Sequence, residues 1–191
     1  MMKPMTDVNE LFRHQRAIRN FTDEDVPEEL VHQVLTAAIH APSGSNTQPW
    51  HFIVVRDPDI KRAISDEYEA ARASYRAERS ASSSTEQPFL AAPVLIVACV
   101  NTPASGQAGF QTGASIYPSV QNLMLAARAL GLGTVLTTLH RRRKSEVHEI
   151  LGIPDHIESA AIIPLDWPDR EYGPNRRPPV EQFVMRDRWQ G

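Results

Sequence analysis

Apolar residues recur at helical spacing in five segments of the chain and form short continuous runs in four others. The helical spacing predicts helices over residues 6–13, 27–40, 58–79, 114–130 and 145–151. The apolar runs predict strands over residues 50–55, 93–100, 134–139 and 160–165. Thr6 and Ser145 are placed to cap the first and last helix, and Gly131 to end the fourth. Pro118 is tolerable only near a first turn, so the regular part of the fourth helix is expected to begin late.

Two segments lack the pattern of a core element. Residues 80–87 are rich in serine and are expected to be mobile. From Trp167 onward the chain is rich in proline, arginine and polar residues, with too little apolar surface for a core of its own. We therefore expect a domain over residues 1–166 and an arm over residues 167–191 that packs on the domain or on a partner subunit.

Composition narrows the possible partners. The 191 residues carry a net charge of -3, which argues against nucleic acid as a partner, and no apolar stretch is long enough to span a membrane. The single cysteine, Cys99, excludes an internal disulfide framework and is compatible with a cytoplasmic location. The histidines lack metal-ligand spacing, so no metal is expected. Among them, His140 is expected in an exposed loop, although a place in a substrate pocket stays open, and His148 is expected at the surface.

Charged and polar segments supply the candidate chemistry. Arg16 and Arg19 flank the apolar Ile18, and two arginines so spaced can point at one anionic ligand such as a phosphate, or can both be solvated. The basic run over residues 141–144 is expected to be a solvated loop, with attraction of an anionic cosubstrate such as NADPH as the alternative. Residues 42–49 form a polar loop between two prolines whose backbone N–H groups suit a heterocycle or a ribityl chain.

These segments resemble the FMN-binding nitroreductase family. The resemblance rests on Arg16-x-x-Arg19-x-Phe21 and on Ala41-Pro42-Ser43-Gly44-Ser45-Asn46-Thr47-Gln48-Pro49-Trp50-His51-Phe52. Residues 113–127 are similar to the family's central dimer helix, residues 129–134 to its exit, and residues 176–184 to its C-terminal basic motif. The resemblance implies an α+β fold with a mostly antiparallel central sheet flanked by helices, and a homodimer that exchanges its C-terminal arms.

The resemblance also implies a role for individual residues. Arg16, Arg176 and Arg177 would hold the FMN phosphate, and Arg19 would lie beside the flavin N1 and O2 edge. The remaining cofactor contacts would come from Ala17 and from two further segments. The first segment contributes Pro42, Ser43, Gly44, Asn46 and Gln48, partly from the second subunit. The second contributes Leu136, Thr137 and Thr138, which would face the ring and N5. NADPH or NADH would supply hydride for a small electron-poor acceptor such as a nitroaromatic or a quinone.

Departures from the family pattern leave the acceptor open. Ala17 stands where many relatives have serine, and the Pro-x-Glu-Gly-Phe stretch of one branch is replaced by residues 137–140. Residues 65–90 fall where relatives carry a lid or substrate-specific helices. The alternatives are another flavin reaction, such as reductive dehalogenation or oxygen-dependent chemistry, and a non-catalytic flavin-binding or sensing protein.

Overall fold

The computed structural model describes residues 2–22, 24–79, 92–102 and 109–189. Within these residues the helices are α1 (Val8–His14), α2 (Glu28–Ile39), α3 (Pro58–Arg79), α4 (Phe110–Ala129) and α5 (Lys144–Leu151). The strands are β1 (Trp50–Val55), β2 (Val94–Asn101), β3 (Gly133–Thr134) and β4 (Ile157–Asp166), and short 3-10 turns cover Gly44–Asn46, Leu139–Arg143 and Val180–Gln182. The serine-rich segment over residues 80–87 lies outside the described residues.

The strands form one antiparallel sheet in the order β1-β2-β4-β3. Its central strands, β2 and β4, are buried along their whole length except at Asn101. Neighbouring residues of a strand point to opposite faces, so Ile96 belongs to one apolar core and Val97 to the other. Because both faces are buried, these strands appear in the sequence as continuous apolar runs.

Helices cover both faces of the sheet. α2 and α4 pack on one face, where Val34 and Leu123 are fully buried in the same core as Ile96. On the other face, α3 contributes Ile64 to the core that contains Val97. This architecture confirms the expected α+β class with an antiparallel sheet flanked by helices. The exchange of arms between subunits stays a prediction.

The fourth helix begins earlier than its proline suggests. α4 starts at Phe110 and contains Pro118 in its middle, so the expectation of a late start is wrong. An internal proline removes a backbone hydrogen bond and costs about 3 kcal/mol. Ile116, Val120 and Leu123 are fully buried or nearly so, and each contributes about 1.5–3 kcal/mol, which outweighs that cost. Gly131 ends the helix as expected, with a left-handed φ of 87°.

Both expected N-caps are wrong. Asp7, not Thr6, caps α1, because its carboxylate accepts from Glu10 N at 2.9 Å and also favours the positive end of the helix. α5 begins at Lys144 and continues directly from the 3-10 turn Leu139–Arg143, so Ser145 lies inside the helix rather than before it.

The predicted strand over residues 134–139 is wrong in length. β3 covers Gly133–Thr134, and after it only Thr137 pairs with β4, in a single bridge to Ile162. The chain then turns into the 3-10 segment at Leu139. The apolar run has strand composition, but its backbone leaves the sheet edge after two residues.

The arm first follows its own domain and then leaves it. Thr22 N donates to Trp167 O at 2.9 Å, and Asp169 N donates to Asn20 O at 3.2 Å. Further on, large apolar side chains are exposed, namely Val180, Phe183, Val184, Met185 and Trp189. The division into a domain and an arm that packs on a partner subunit stays a prediction.

In the part of the chain that the structure describes, no helix combines the length and the apolar character that crossing a membrane requires. The same residues hold no group of three or more His, Cys, Asp or Glu side chains that could bind a metal ion.

Candidate functional site

Arginines from both ends of the chain line one cleft of about 540 Å³. The N-terminal segment contributes Arg16, Ala17 and Arg19. The arm contributes Arg176 and Arg177. The structure therefore brings Arg16 together, within one chain, with Arg176 and Arg177, the three arginines that the family resemblance assigned to one phosphate, and places Arg19 in the same cleft.

The edge of the sheet holds the N-terminal half of this cleft. Ile18 N donates to Thr134 O at 2.9 Å, and Ala17 forms a parallel bridge with Thr134. The Ile18 side chain is 2% exposed, whereas Arg16 and Arg19 are exposed. Ile18 thus anchors the segment in the protein and leaves the arginines on either side free to face the cleft.

None of the four arginines of the cleft has a carboxylate oxygen within 4.0 Å among the residues that the structure describes. Arg16 instead lies over the ring of Tyr172, with its Cζ atom 5.7 Å from the ring centroid, and donates to Gly173 O at 3.4 Å. Arg177 donates to a backbone carbonyl, Arg176 O, at 2.8 Å. Four cations without counter-charges in one cleft form a site for an anion with several oxygen atoms.

The basic run over residues 141–144 has the opposite character. Arg142 donates two hydrogen bonds to Glu78, at 2.7 and 2.8 Å, and Arg143 pairs with Glu67 at 2.7 Å. The remaining cations of the run, Arg141 and Lys144, share the buried Glu158. The run lies in the turn before α5 and at the first residue of α5, with its side chains 36–45% exposed, which agrees with the expected solvated segment, and folding in addition places a carboxylate against each cation. These charges are already compensated and give no support to a cosubstrate site there.

The polar loop over residues 42–48 is exposed and strained. Ser45, Asn46 and Gln48 all have left-handed backbone angles, with φ of 51°, 54° and 47°. Such conformations cost of order 1–3 kcal/mol each in a non-glycine residue and concentrate at functional sites. Gln48 N donates to Ser43 Oγ at 3.0 Å, and Gly44 N donates to Ser115 Oγ of α4 at 3.3 Å. Gln48 Nε2 also supports the loop by donating to Asn46 O and Asn46 Oδ1, both at 3.4 Å.

That loop does not line the arginine cleft within one chain. The predicted contacts from Pro42, Ser43, Gly44, Asn46 and Gln48 are therefore not brought to the arginines by the fold of a single subunit. Their expected contribution across a subunit boundary stays a prediction.

Leu136, Thr137 and Thr138 lie at the sheet edge just after β3. Thr137 exchanges two backbone hydrogen bonds with Ile162, both of 3.0 Å, and its Oγ1 lies 3.1 Å from the hydroxyl of Tyr68. In extended chain, neighbouring backbone groups point in opposite directions, so the N–H groups of Leu136 and Thr138 point away from β4. Neither has an acceptor among the described residues. These donors are available to a ligand at the edge.

His140 is completely buried, so the expectation of an exposed loop residue is wrong. The turn Leu139–Arg143 packs against β4 and places His140 Nε2 3.1 Å from Ser159 Oγ. His148, expected at the surface, is also buried, with its Nε2 2.9 Å from the same oxygen. Burial lowers the pKa of His140 to about 4 and also lowers the pKa of His148. His140 does not line the arginine cleft.

Comparison with known proteins identifies the family. The sequence model of the Nitroreductase family matches residues 12–165. The chain belongs to the nitroreductase family. An NADH dehydrogenase of Thermus thermophilus is 30% identical over 215 residues, which cover 95% of this chain and 97% of that protein. Human iodotyrosine deiodinase 1 is 28% identical over 204 residues, which cover 97% of this chain and 70% of the deiodinase.

Solved structures of an iodotyrosine deiodinase and of a nitroreductase have the same fold. A crystal structure of iodotyrosine deiodinase bound to FMN and 3-iodo-L-tyrosine matches with a TM-score of 0.77 and 26% identity, over 95% of this chain and 99% of that chain. Nitroreductase A from Vibrio parahaemolyticus matches with a TM-score of 0.80 at 23% identity, over 98% of this chain and 78% of that one. Family membership confirms the expected enzyme class, a flavin oxidoreductase of the nitroreductase type.

Proposed function

We propose that this nitroreductase-family chain binds FMN and transfers hydride from NADH or NADPH to a small electron-poor acceptor, such as a nitroaromatic or a quinone. The observation that carries the proposal is the cleft in which four arginines from the two ends of the chain have no carboxylate partner among the residues that the structure describes. A phosphomonoester has two negative charges and several acceptor oxygens, and guanidinium groups donate to it in parallel pairs. The donor set of the cleft fits the phosphate of FMN.

Each arginine then has a defined task. Arg16, Arg176 and Arg177 hold the phosphate, and the backbone at Ala17 lies along the ribityl chain. Arg19 faces the N1 and O2 edge of the ring. The N–H groups of Leu136 and Thr138, which have no acceptor in the described part of the chain, point away from the sheet and support a place for the ring edge beside Leu136, Thr137 and Thr138.

The cofactor site is completed by a second copy of the chain in this proposal. The loop over residues 42–48 is exposed, strained and rich in donors, and it lies outside the arginine cleft of its own subunit. We assign Pro42, Ser43, Gly44 and Asn46 to the cofactor of the partner subunit, with Gln48 supporting the loop. The exposed apolar side chains of the arm support its packing on that partner. A cytoplasmic location stays a prediction from the sequence.

When bound, FMN supplies the redox chemistry by accepting hydride at N5 and giving it up to an acceptor. Arg19 places a fixed positive charge where the reduced ring becomes negative, and such preorganised charge is most effective where water is excluded. The N–H groups of Leu136 and Thr138 orient the ring. No protein nucleophile is required, and the described histidines with lowered pKa values lie in the core rather than at the cleft.

Reductive dehalogenation is the second candidate activity. It is favoured by the similarity to iodotyrosine deiodinase, at 28% identity in sequence and a TM-score of 0.77 in structure. The two activities share the flavin and differ in the acceptor, so reoxidation of the reduced protein separates them.

The test is an anaerobic titration of the protein purified with FMN. We expect NADH or NADPH to bleach the flavin absorbance and a nitroarene or quinone to restore it. Recovery with 3-iodotyrosine and release of iodide, with no recovery by nitroarenes, would favour the second candidate. A flavin that neither nicotinamide bleaches would identify a non-catalytic flavin-binding protein, and a chain without affinity for FMN would refute the proposal.

A further inference from the structure

We propose that Asn175 is the positioning residue that holds Arg16 beside Arg176 and Arg177 in one phosphate site. This inference rests on the proposed function, because the phosphate is that of FMN. Asn175 immediately precedes Arg176 and Arg177 in the arm. The hydrogen bonds of Asn175 go to backbone carbonyl groups of the N-terminal segment, and only the folded chain reveals these partners.

Asn175 caps the end of α1 with three hydrogen bonds. Its backbone N–H donates to Arg13 O at 2.7 Å. Its side-chain Nδ2 donates to Phe12 O at 2.9 Å and to Gln15 O at 3.0 Å. The last carbonyl groups of a helix have no partner within the helix, so a donor from another segment stabilises that end. A residue of the arm thus supplies the C-terminal cap of a helix more than 150 positions earlier in the chain.

The cap fixes both halves of the cleft at once. Arg16 follows Gln15 directly, and Arg176 follows Asn175 directly. Arg16 is therefore one residue from one side of this cap and Arg176 one residue from the other, and the spacing between Arg16 and the pair Arg176 and Arg177 depends on the three hydrogen bonds of the cap. The contact of Arg16 with Gly173 O, at 3.4 Å, is longer and adds less constraint.

An uncharged donor suits this position. The four arginines repel one another before an anion binds, which favours separation of the arm from the N-terminal segment. An asparagine amide satisfies two carbonyl oxygens without adding a fifth positive charge. An aspartate has the same shape but directs acceptor oxygens at acceptor oxygens, so Asn175→Asp removes both side-chain hydrogen bonds and adds repulsion.

The experiment compares the affinities for FMN and riboflavin, which differ by the phosphate alone. Flavin-stripped full-length protein is titrated with each, and quenching of flavin fluorescence gives the two dissociation constants. For Asn175→Asp we expect FMN affinity to fall about tenfold or more while riboflavin affinity changes little. In Asn175→Ala, water can donate to the carbonyl groups that Asn175 Nδ2 no longer reaches, so this variant should show a smaller loss of FMN affinity.

Asn122→Asp is the matched control. Asn122 Nδ2 also donates to a carbonyl near the end of a helix, Ala37 O of α2 at 3.3 Å, but outside the cleft. The Asn122→Asp variant should leave the ratio of the FMN and riboflavin affinities unchanged. General loss of stability would weaken the binding of both flavins equally and leave the ratio unchanged. Because Asn175 lines the cleft, the carboxylate of Asn175→Asp also repels the phosphate directly, so the uncharged Asn175→Ala variant is the one whose ratio reports positioning.

The outcomes separate this inference from the proposed function. If the wild-type chain does not prefer FMN to riboflavin, the phosphate site itself is refuted. If the wild-type chain prefers FMN and both Asn175 variants keep the same preference, the role of Asn175 is refuted and the proposed function stands.

Discussion

His140 and His148 direct their Nε2 atoms at the same hydroxyl oxygen, Ser159 Oγ, at 3.1 and 2.9 Å. A serine hydroxyl has one proton, so it donates to one imidazole and accepts from the other. Nε2 of His140 also lies 3.3 Å from Ser159 O, which only accepts, so His140 carries its proton on Nε2. The hydroxyl then donates to His148. Protonation of His148 at Nε2 would break this network, and protonation of His140 would place a charge on Nδ1, which is buried and has no hydrogen-bond partner among the described residues.

Two neutral buried histidines make the free energy of unfolding depend on pH. Burial lowers the pKa of His140 from 6.5 to about 4, and the unfolded chain therefore binds protons that the folded chain does not. The contribution of neutral His140 to the free energy of unfolding is complete above about pH 6.5, falls as the pH drops toward about 4, and does not change further below that pH. For His140 the loss between about pH 7.5 and about pH 5 is on the order of 2 kcal/mol. Urea denaturation at the two pH values measures it.

Charged neighbours act on the same histidines in both directions. Arg141 and Lys144 disfavour their protonation, and Glu158 favours it. The His140→Gln variant removes the titratable ring and should reduce the difference in the free energy of unfolding between the two pH values. The variant His156→Gln, at an exposed position, should leave that difference unchanged. An undiminished difference in the His140 variant would contradict the assignment.

Arg19 is expected to raise the reduction potential of bound FMN. It has no carboxylate partner in the described part of the chain, so its charge is available to a ring that becomes negative near N1 on reduction. Arg19→Ala should lower the potential by roughly 30 mV or more, which for two electrons corresponds to about 1.4 kcal/mol. Spectroelectrochemical titration measures the shift. Arg142→Ala, whose guanidinium is paired with Glu78, should leave the potential unchanged; equal potentials in all three proteins would reject the role of Arg19.

Gly133 allows the N-terminal segment and the arm to approach the sheet edge. A Cβ atom at this position would lie 2.9 Å from Ile18 Cγ2 and 3.0 Å from Pro168 Cγ. Gly133→Ala should therefore lower the free energy of unfolding by about 1–3 kcal/mol and weaken FMN binding by displacing the segment that carries Arg16 and Arg19. Thermal denaturation and flavin titration measure the two effects. Gly113→Ala is the control, because its Cβ would meet Tyr117 at an ordinary 3.4 Å.

The exposed apolar side chains of the arm are expected to be covered in a homodimer. Phe183 is 67% exposed and Val180 63% in the single chain. Phe183→Ser should shift the protein toward monomer in size-exclusion chromatography with light scattering. Ile60→Ser, at a position 37% exposed on α3, is the control and should leave the dimer intact. A wild-type monomer that retains FMN would contradict the assembly.

Local patterns in the sequence were sufficient to predict the helices and strands that are stabilised by burial of their own apolar residues. The continuous runs predicted β2 and β4 because both faces of these strands are buried, and the helical stripes predicted α2 and α3. The pattern did not predict the mid-helix position of Pro118, because the packing that offsets its cost comes from α2 and the sheet. It also did not predict the burial of His140, which depends on a turn folding back onto β4.

Residue type and spacing identified the candidate site but not its electrostatics. Arg16 and Arg142 are both arginines in polar segments, and nothing in their neighbours along the chain distinguishes them. Folding places Glu78 against Arg142 and leaves Arg16 facing an open cleft without a carboxylate within 4.0 Å among the described residues. The sequence by itself determined the family motifs and the order of elements, since these are written in local periodicity. Only the tertiary structure decided which charges are paired and that Asn175 joins the two ends of the chain, since those contacts form through space.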